Sequence, residues 1–505
     1  MMYEPSALSG RSTVYGLFRA RARVAPDMPA LRQRDIEISY GALLSRTNRL
    51  ANGLRGNGIG RGDRIAILSR NRTEYIELEL AAAAIGTIVC CLNWRLVEDE
   101  LAHCISLVEP SLIIAEEALA SGLPGDGGAP VLKLGKPYEA LLAGSSSTDV
   151  EGDVEPEDGL IILYTSGTTG LPKGAVISHR AMIARSLVFS SEWALAPDDG
   201  FVAWAPLFHM ASTDHALSTL MRGGLVSIVD GYNADEIIAA IERHKIGWLV
   251  LIPGMIEDFI AAGKAAGVKP VGIVICGAMA DLVPPQQIAE VTRILDTPYA
   301  NSFGATETGL APASRGKIQP GEFPESLSKQ QTAFCEVRLV DPDDKDVADG
   351  EPGELALRGP TLFSGYWNAD AANAECFRGG WFHMGDVFRR NPDGTLDFVD
   401  RAKYLIKTGG ENVYPAEIER VLLADPGVSD AAVVRTGHEK WGEVPVAFVS
   451  VSDETLTEEA LLQRCSQSLA RYKRPSRIRF IAFDDFPRST SGKIQRHLLE
   501  QMIDE

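Results

Sequence analysis

The chain has 505 residues, and its 49 Lys and Arg against 68 Asp and Glu give a formal net charge of −19. A prior of about 150 residues per domain predicts about three domains, and 45% hydrophobic with 23% charged residues is an ordinary globular composition. The acidic balance argues against nucleic acid as a main partner, because phosphate binding needs clustered Lys and Arg.

Cysteine usage and hydropathy favour a reducing compartment and no membrane span. The seven cysteines are scattered without a Cys-x-x-Cys pair, which disfavours a zinc site and a disulfide scaffold. The uncharged stretch 80–94 is shorter than the roughly 18 apolar residues that a span needs. The N-terminus lacks the apolar core of a signal peptide, and residues 12–24 are interpreted as a first surface helix rather than a transit peptide. We therefore predict a cytoplasmic protein.

Strand and helix patterns alternate in the first part of the chain. Strands are predicted at 64–68, 87–92 and 112–115, and helices at 73–84 and 97–108. Glu77 and Glu79 are placed on the solvent side of the first of these helices. This alternation predicts α/β layers with parallel strands.

The last hundred residues have a pattern of their own. Helices are predicted at 416–424 and 457–470, and strands at 430–434, 446–451 and 477–482. These elements suffice for a small α+β domain. We therefore predict a large N-terminal domain over 1–400 and a small C-terminal domain over 401–505.

The most informative segment is Tyr164-Thr-Ser-Gly-Thr-Thr-Gly-Leu-Pro-Lys-Gly174, which follows a strand at 160–163 and precedes a helix that begins near Ser178. Its glycines let backbone N–H groups turn toward a ligand, and its hydroxyls and Lys173 add donors, so polyphosphate is the expected guest. The segment is not a Walker A motif, because Lys173 is neither preceded by Gly nor followed by Ser or Thr. A flexible glycine linker is the alternative.

This segment resembles the phosphate-binding loop of the AMP-forming acyl-CoA synthetases, whose superfamily also contains luciferase and the adenylation domains of peptide synthetases. Further motifs in the family's order extend the resemblance over nearly the whole chain. They are Pro206-Leu-Phe-His209, Phe303-Gly-Ala-Thr-Glu307, Trp381-Phe-His-Met-Gly-Asp386, the hinge region 400–415 and Pro487-Arg-Ser-Thr-Ser-Gly-Lys493. The resemblance implies layered α/β subdomains followed by a mobile α+β domain that rotates about a hinge at Lys403.

The implied chemistry explains the residue types. Attack of a carboxylate on the α-phosphate of ATP gathers negative charge, so cations and hydrogen-bond donors are needed. The resemblance makes Glu307 a ligand of Mg²⁺, Thr306 a donor to the α-phosphate, Lys493 the mobile cation of adenylation and His209 a residue beside the acyl group. The implied nucleotide-binding residues are Thr165, Ser166, Gly167, Thr168, Thr169, Gly170, Lys173, Gly277, Ala278, Phe303, Gly304, Asp386 and Arg401. Gly409 and Gly410 resemble the glycines that line the tunnel for coenzyme A.

Some residues depart from the family's pattern. Phe303, expected to stack on adenine, stands where Tyr is commoner. Met384 replaces the usual Thr beside Asp386, the expected ribose ligand, and Tyr404 follows Lys403 where a polar or acidic residue is commoner. The segment 321–332 lacks the family's Gly-rich turn. The basic cluster at 471–479 is either a solvated surface or an attractor of coenzyme A phosphates.

We predict an acid–CoA ligase that uses ATP, Mg²⁺ and coenzyme A in fatty or aromatic acid metabolism. The expected acid is an apolar monocarboxylate, aromatic or medium-chain aliphatic, because a second carboxylate would be buried without a cation. Lys and Arg are absent from the segments expected to line the acyl pocket, 204–217, 248–254, 276–280 and 301–313. Asp214 is placed in the first turn of a helix after Ser212. Alternatives are a stand-alone adenylating enzyme that serves a carrier protein and a non-catalytic nucleotide-binding protein; a homodimer is left open.

Overall fold

The computed structural model describes residues 11–124, 128–150, 152–165, 171–409, 411–453, 455–488 and 494–503. Contacts divide the chain into two compact units, residues 1–336 with 358–375, and residues 337–357 with 376–505. The predicted domain boundary at 400/401 and the hinge at Lys403 fall within the second unit and stay predictions. In the described part of the chain, none of the helices combines the length and hydropathy that crossing a bilayer requires.

The first unit alternates helices with short strands, as predicted. The helices described in it are α1 Val14–Val24, α2 Tyr40–Gly56, α3 Thr73–Ile85, α4 Glu98–Val108, α5 Glu117–Ala120, α6 Lys136–Ala143, α7 His179–Trp193, α8 Met210–Arg222, α9 Ala234–Ile241, α10 Ile256–Ala266, α11 Pro285–Leu295 and α12 Asp370–Cys376, whose last residue falls in the second unit. The strands described in it are β1 Pro29–Gln33, β2 Ile36–Ser39, β3 Arg64–Leu68, β4 Ile88–Cys91, β5 Leu112–Ala115, β6 Val131–Lys133, β7 Gly159–Thr165, β8 Lys173–Ser178, β9 Gly200–Ala203, β10 Val226–Ile228, β11 Ile246–Leu249, β12 Ile273–Cys276, β13 Tyr299–Ala300, β14 Phe303–Ala305, β15 Gly309–Ala313 and β16 Lys317–Ile318.

Two mostly parallel sheets organise this unit. Among the described residues, one sheet has the strand order β6-β5-β3-β4-β7-β8, and the other has the order β16-β13-β12-β11-β9-β10-β1-β2. The first is parallel except for the β7/β8 pair. The second is antiparallel only at its two ends, where β2 pairs with β1 and β16 with β13. This arrangement confirms the predicted α/β layers.

Helix α3 is buried on all sides, so the prediction that Glu77 and Glu79 face solvent is wrong. Both side chains are 0% exposed. Glu77 accepts hydrogen bonds from Arg46 Nε at 2.5 Å and from Tyr138 Oη at 2.9 Å, and Glu79 accepts one from the Thr213 hydroxyl. The partners come from distant parts of the chain, because helices cover the face of α3 that a local pattern assigns to water.

Glu79 makes the stability of the protein depend on pH. Burial raises the pKa of its carboxyl to about 8, and nearby Asp214 adds to the rise. Between the unfolded value of about 4.3 and this value, only the folded state binds the proton, so stability falls as pH rises, by about 1.4 kcal/mol per pH unit. We expect Glu79→Gln to remove this slope and to gain stability over the parent as pH rises from 5 to 8. Thermal unfolding of parent and variant at several pH values measures this gain. A stability difference that does not change with pH would contradict the prediction. The control is Glu117→Gln, because Glu117 is exposed.

The second unit contains two further sheets. Its described strands are β17 Glu336–Val340, which begins at the last residue of the first unit's main stretch, β18 Pro352–Arg358, β19 Phe382–Arg390, β20 Leu396–Arg401, β21 Ile406–Thr408, β22 Glu411–Val413, β23 Val428–His438, β24 Gly442–Val451 and β25 Ile478–Phe480, and its described helices are α13 Pro415–Leu423, α14 Glu458–Ser468 and α15 Arg496–Gln501. The order in one sheet is β17-β18-β19-β20, and in the other it is β22-β21-β24-β23 with β25 beside β24. The helices and strands predicted after residue 401 are all present, with shifted ends.

Candidate active site

The segments predicted to form the acyl and adenine sites lie at one edge of a sheet. Strands β9, β11, β12 and β13 are parallel neighbours. Their carboxyl ends therefore lead to the same edge, which is where open α/β sheets bind ligands. The segments that follow these strands are 204–209, 250–254, 277–279 and 301–303. The fold thus brings together stretches that are far apart in sequence.

The predicted phosphate loop lies between two antiparallel strands. Strand β7 precedes it as predicted, and Thr165 pairs with Lys173 at the end of the β7/β8 ladder. A strand that the sequence analysis did not predict, β8, then leads to α7, whose N-cap is Ser178. Ser166, Gly167, Thr168, Thr169 and Gly170 lie outside the described residues.

Lys173 and Glu307 are linked by the side chain of Tyr366. The Lys173 Nζ atom lies 5.1 Å from the centroid of the Tyr366 ring, within the range of a cation–π contact. The Tyr366 hydroxyl donates to Glu307 Oε1 at 2.7 Å. Tyr366 was absent from the predicted site. The structure therefore joins the predicted phosphate ligand and the predicted metal ligand through a residue that sequence reasoning missed.

Thr306 and Glu307 occupy the turn of a tight hairpin formed by β14 and β15. The buried Thr308 hydroxyl accepts the Ala305 N–H at 3.0 Å and so shapes the turn. Glycine is needed at Gly304, because a Cβ there would lie 2.0 Å from the Gly309 carbonyl oxygen. Phe303, at the start of the hairpin, is only 3% exposed, and its stacking on adenine stays a prediction.

A buried ion pair supports this hairpin. Arg185 on α7 donates to Asp214 Oδ2 at 2.9 Å, to the Thr306 carbonyl at 2.8 Å and to the Thr361 carbonyl at 3.0 Å. Both charged side chains are about 2% exposed, and burial raises the pKa of Asp214 while Arg185 opposes the rise. Helix α8 begins at Met210, so the placement of Asp214 in a first turn is wrong. The carboxylate is neutralised by Arg185.

The turn after β12 is held by two side-chain donors. Trp248 Nε1 donates to the Gly277 carbonyl at 2.7 Å, and the Tyr299 hydroxyl donates to the Ala278 carbonyl at 2.9 Å. Gly277 has φ +74°, and a Cβ there would lie 2.1 Å from the Tyr299 ring. Trp248 and Trp204, both candidates for the acyl pocket, are 3% and 4% exposed. Both rings are therefore buried, and their place in the acyl pocket stays a prediction.

His209 and its neighbours lie at the start of α8. His209 is exposed and is the N-cap, with Nδ1 accepting the Ala211 N–H at 3.2 Å. Phe208 is half-buried, and the guanidinium of exposed Arg95 lies 6.0 Å from its ring centroid and 4.9 Å from that of Trp94. A cation from outside the predicted acyl segments thus approaches one of them.

The segment 321–332, which departs from the family's pattern, is anchored by a buried lysine. Lys329 is 0% exposed. Its Nζ lies 2.5 Å from Asp281 Oδ2 and donates to Asn301 Oδ1. Asn301 in turn donates to the carbonyls of Leu327 and Ser328 at 3.2 and 3.1 Å. The segment is therefore tied to the side chain of Asn301, two residues before Phe303, without a Gly-rich turn.

In the second unit the structure pairs Asp386 with Arg401. They lie opposite each other on β19 and β20, and Arg401 Nε is 2.7 Å from Asp386 Oδ1. Asp386 is 1% exposed. Beside it, Glu354 Oε1 accepts the Gly385 N–H at 3.2 Å. The two predicted ribose ligands are thus brought together, and their binding of ribose stays a prediction.

Two cationic side chains near the predicted hinge lie over the aromatic ring of Tyr404. The Tyr404 ring lies 4.7 Å from Lys403 Nζ and 4.4 Å from the Arg496 guanidinium carbon. Arg496 is held by the buried Glu419 at 2.6 Å. Gly409, at φ +59°, donates its N–H to the Trp441 carbonyl at 2.8 Å. Lys493 and Gly410 lie outside the described residues.

The basic cluster at 471–479 is largely engaged within its own unit. Lys473 pairs with Glu417 at 2.5 Å. Arg474 donates to the Ser466 and Leu469 carbonyls at 2.9 and 3.1 Å, at the end of α14. Arg477 and Arg479 donate to carbonyls just after α15. These contacts resemble the cationic capping of helix C-termini and favour a structural role over attraction of coenzyme A.

A protein-only metal cage is absent from the described residues. Within them, no group of three or more His, Cys, Asp or Glu side chains is placed to hold a cation. Glu307 offers one carboxylate, oriented by Tyr366. Mg²⁺ is often bound through one or two carboxylates plus substrate phosphates, so this donor set fits a Mg²⁺ that arrives with ATP. The cation itself stays a prediction.

Comparison with known proteins places this geometry in a family. Residues 18–367 match the AMP-binding enzyme family, and residues 417–493 match the AMP-binding enzyme C-terminal domain. The chain is 32% identical to an indoleacetate–CoA ligase of Aromatoleum aromaticum over 95% of this chain and 96% of that protein. It is 32% identical to a feruloyl-CoA synthase of an Amycolatopsis species, over 94% and 96%.

A solved structure agrees with these matches. ATP-bound MatB from Rhodopseudomonas palustris superimposes with a TM-score of 0.82 at 27% identity, over 98% of this chain and 99% of that one. The chain belongs to the AMP-binding enzyme family. The predicted family, fold and enzyme class, an AMP-forming acid–CoA ligase, are confirmed.

Proposed function

We propose that the protein joins an aromatic monocarboxylic acid to coenzyme A through an acyl-adenylate. The observation that carries the choice of acid is the charge of the acyl segments. They contain no Lys or Arg, and Asp214, a buried acid within them, is paired with Arg185. A second carboxylate on the substrate would enter without a partner from these segments, which is costly. Both curated relatives described above carry aromatic monocarboxylic acids in their names.

In the first half-reaction, which forms the acyl-adenylate, different residues of the chain bind different groups. The substrate carboxylate attacks the α-phosphorus of ATP, and pyrophosphate leaves. Lys173 and the hydroxyl and N–H groups of its loop hold the leaving phosphates, and Thr306 donates to the α-phosphate. Bound Mg²⁺ would neutralise phosphate charge, with Glu307 as its protein ligand. Lys493 brings a cation to the substrate carboxylate and the α-phosphate.

The second half-reaction transfers the acyl group. The thiol of coenzyme A attacks the acyl carbonyl carbon, and AMP leaves with the electron pair of the anhydride bond. Gly409 and Gly410 leave room for the thiol arm, since small residues let a ligand approach the backbone. Asp386 and Arg401 hold the ribose of the nucleotide through both steps.

Steady-state kinetics with a panel of acids test the proposal. We expect benzoate, hydroxycinnamate or indoleacetate to have a higher kcat/KM than malonate or 2-succinylbenzoate, because the acyl segments offer no partner for a second carboxylate. We expect them to exceed octanoate as well, because the two relatives described above carry aromatic acids in their names. The readout is AMP release that depends on coenzyme A, which also separates a ligase from a carrier-dependent adenylating enzyme and from a nucleotide sensor.

One outcome would contradict the charge argument and with it the choice of acid. A higher kcat/KM for malonate than for every monocarboxylate would show that the pocket is misassigned. If malonate is preferred, the variant Arg95→Gln identifies the cause. A selective loss of malonate turnover in this variant would show that Arg95 is the cation that pairs with the second carboxylate. Unchanged aromatic turnover in the same variant is expected, because an aromatic monocarboxylate has no second charge for Arg95 to meet.

A further inference from the structure

Tyr366 occupies a rigid place beside two residues of the proposed ATP site. Its segment extends the β7/β8 ladder: Val176 N–H donates to the Gly365 carbonyl at 3.0 Å, and Trp367 N–H donates to the Gly174 carbonyl at 2.8 Å. Lys173 precedes this stretch of β8 directly. The backbone that carries Tyr366 is therefore fixed to the strand that carries Lys173.

A second anchor fixes Tyr366 from the other side. Asn373 on α12 accepts the Tyr366 N–H at 2.7 Å and donates to the Tyr366 carbonyl at 2.8 Å. The Phe363 ring packs edge-on against the Tyr366 ring with centroids 4.9 Å apart. Phe363 N–H also donates to the Glu307 carbonyl at 2.8 Å. Main chain and ring are thus both held in place.

The two ends of the Tyr366 side chain meet opposite charges. Its ring face lies 5.1 Å from the Lys173 ammonium, and its hydroxyl donates to Glu307 Oε1 at 2.7 Å. A hydrogen bond to a charged group stabilises more than one between neutral groups. A cation over an aromatic face is also attracted to the ring. One side chain therefore restrains both a cation and an anion.

We propose that Tyr366 is a positioning residue for Mg²⁺-bound ATP. Its hydroxyl orients the Glu307 carboxylate for the cation, and its ring orients Lys173 for the phosphates. The role rests on the proposed function, since it takes Glu307 and Lys173 as ligands of the metal and of ATP. The hydroxyl and the ring should therefore have separable effects on ATP binding. The hydroxyl should matter only for the metal-bound nucleotide, and the ring should matter with or without metal.

Calorimetric titration of ATP tests this separation, once with Mg²⁺ and once with EDTA. For Tyr366→Phe we expect the Kd of the Mg²⁺ complex to rise about tenfold, the effect of losing one hydrogen bond to a charged group, and the Kd without metal to stay within about twofold. For Tyr366→Leu we expect both values to rise, with the metal-free Kd up by about threefold. The control is Tyr138→Phe, which removes a hydroxyl that donates to Glu77 at 2.9 Å and is expected to leave both Kd values unchanged.

Three results would overturn the role. They are an unchanged Mg²⁺–ATP affinity in Tyr366→Phe, an equal loss with and without metal in that variant, and a similar loss in Tyr138→Phe. ATP binding needs no acid substrate, so a wrong choice of acid leaves the test intact. Absence of ATP binding by the unmodified protein would instead overturn the proposed function, and this role with it.

Discussion

Replacing Arg185 by Met is expected to lower the free energy of unfolding by about 3–5 kcal/mol at neutral pH. Asp214 is 2% exposed, and Arg185 is its ion-pair partner at 2.9 Å. Without the guanidinium, the Asp214 carboxyl group is left buried with no cation to stabilise its charged form. The carbonyls of Thr306 and Thr361 also lose a donor. Urea unfolding of parent and variant measures the loss.

The pH dependence of the loss identifies its cause. Asp214 already has a raised pKa, and without Arg185 it would stay protonated in the folded state while it ionises in the unfolded state. The deficit should therefore grow by about 1.4 kcal/mol for each pH unit above the pKa that Asp214 has in the folded parent, up to its higher pKa in the variant. Lys264→Met removes one member of an exposed pair with Glu290 and should cost less than about 1 kcal/mol at any pH. A deficit that does not change between pH 5 and 7.5 would refute the buried charge as its source.

A double variant separates the pair from its surroundings. Arg185→Met with Asp214→Leu removes both charges, and apolar replacement of a buried pair is often neutral or stabilising. The double variant should therefore unfold at higher urea than Arg185→Met alone. Equal stability of the two would mean that the lost hydrogen bonds to Thr306 and Thr361, and not the orphaned carboxylate, carry the cost.

Local patterns predicted the elements well where burial follows the sequence directly. The runs 65–68 and 112–115 are continuous apolar stretches, and the strands 64–68 and 112–115 that contain them have the predicted ends. The side chains of a parallel strand that is buried on both faces need only apolar neighbours. Lys173 and Glu307 lie in the first unit, within the predicted N-terminal domain 1–400, whereas Asp386, predicted for the same domain, lies in the second unit.

Long-range pairing could not be predicted in the same way. The charges of Glu77, Glu79 and Asp214 indicated solvent or a helix end, and the structure buries all three with partners far along the chain. A carboxylate at a helix position looks the same in sequence whether its partner is water or an arginine from another helix. The sequence carries no spacing rule that joins Arg185 to Asp214.

Tyr366 shows where a signal did exist. It follows Gly365, whose φ of +119° permits the turn, and it sits between the aromatic residues Phe363 and Trp367. A glycine next to an aromatic residue after an apolar strand is a local hint of close backbone approach. The partners of its side chain, Lys173 and Glu307, become apparent only when the strands are paired.

Replacing Lys493 by Ala is expected to reduce the rate of adenylate formation by about 10²–10³, the usual effect of losing one transition-state donor. The family resemblance of the loop that ends at Lys493 makes its ammonium the cation that meets the substrate carboxylate and the α-phosphate. These charges approach each other only in the first half-reaction. Transfer from a supplied acyl-adenylate to coenzyme A should therefore stay within about threefold of the parent.

The two half-reactions are measured separately because only their ratio identifies the role. Pyrophosphate exchange reports adenylation, and thioester formation from synthetic acyl-adenylate reports transfer. Lys345→Ala removes the same charge from an exposed turn of the second unit, where Lys345 lies 3.8 Å from Asp343, and should change neither rate. If Lys493 served the fold alone, both half-reactions would fall together, because loss of folded enzyme lowers every rate by the same factor. Equal losses in the two half-reactions would therefore refute the assignment of Lys493 to adenylation.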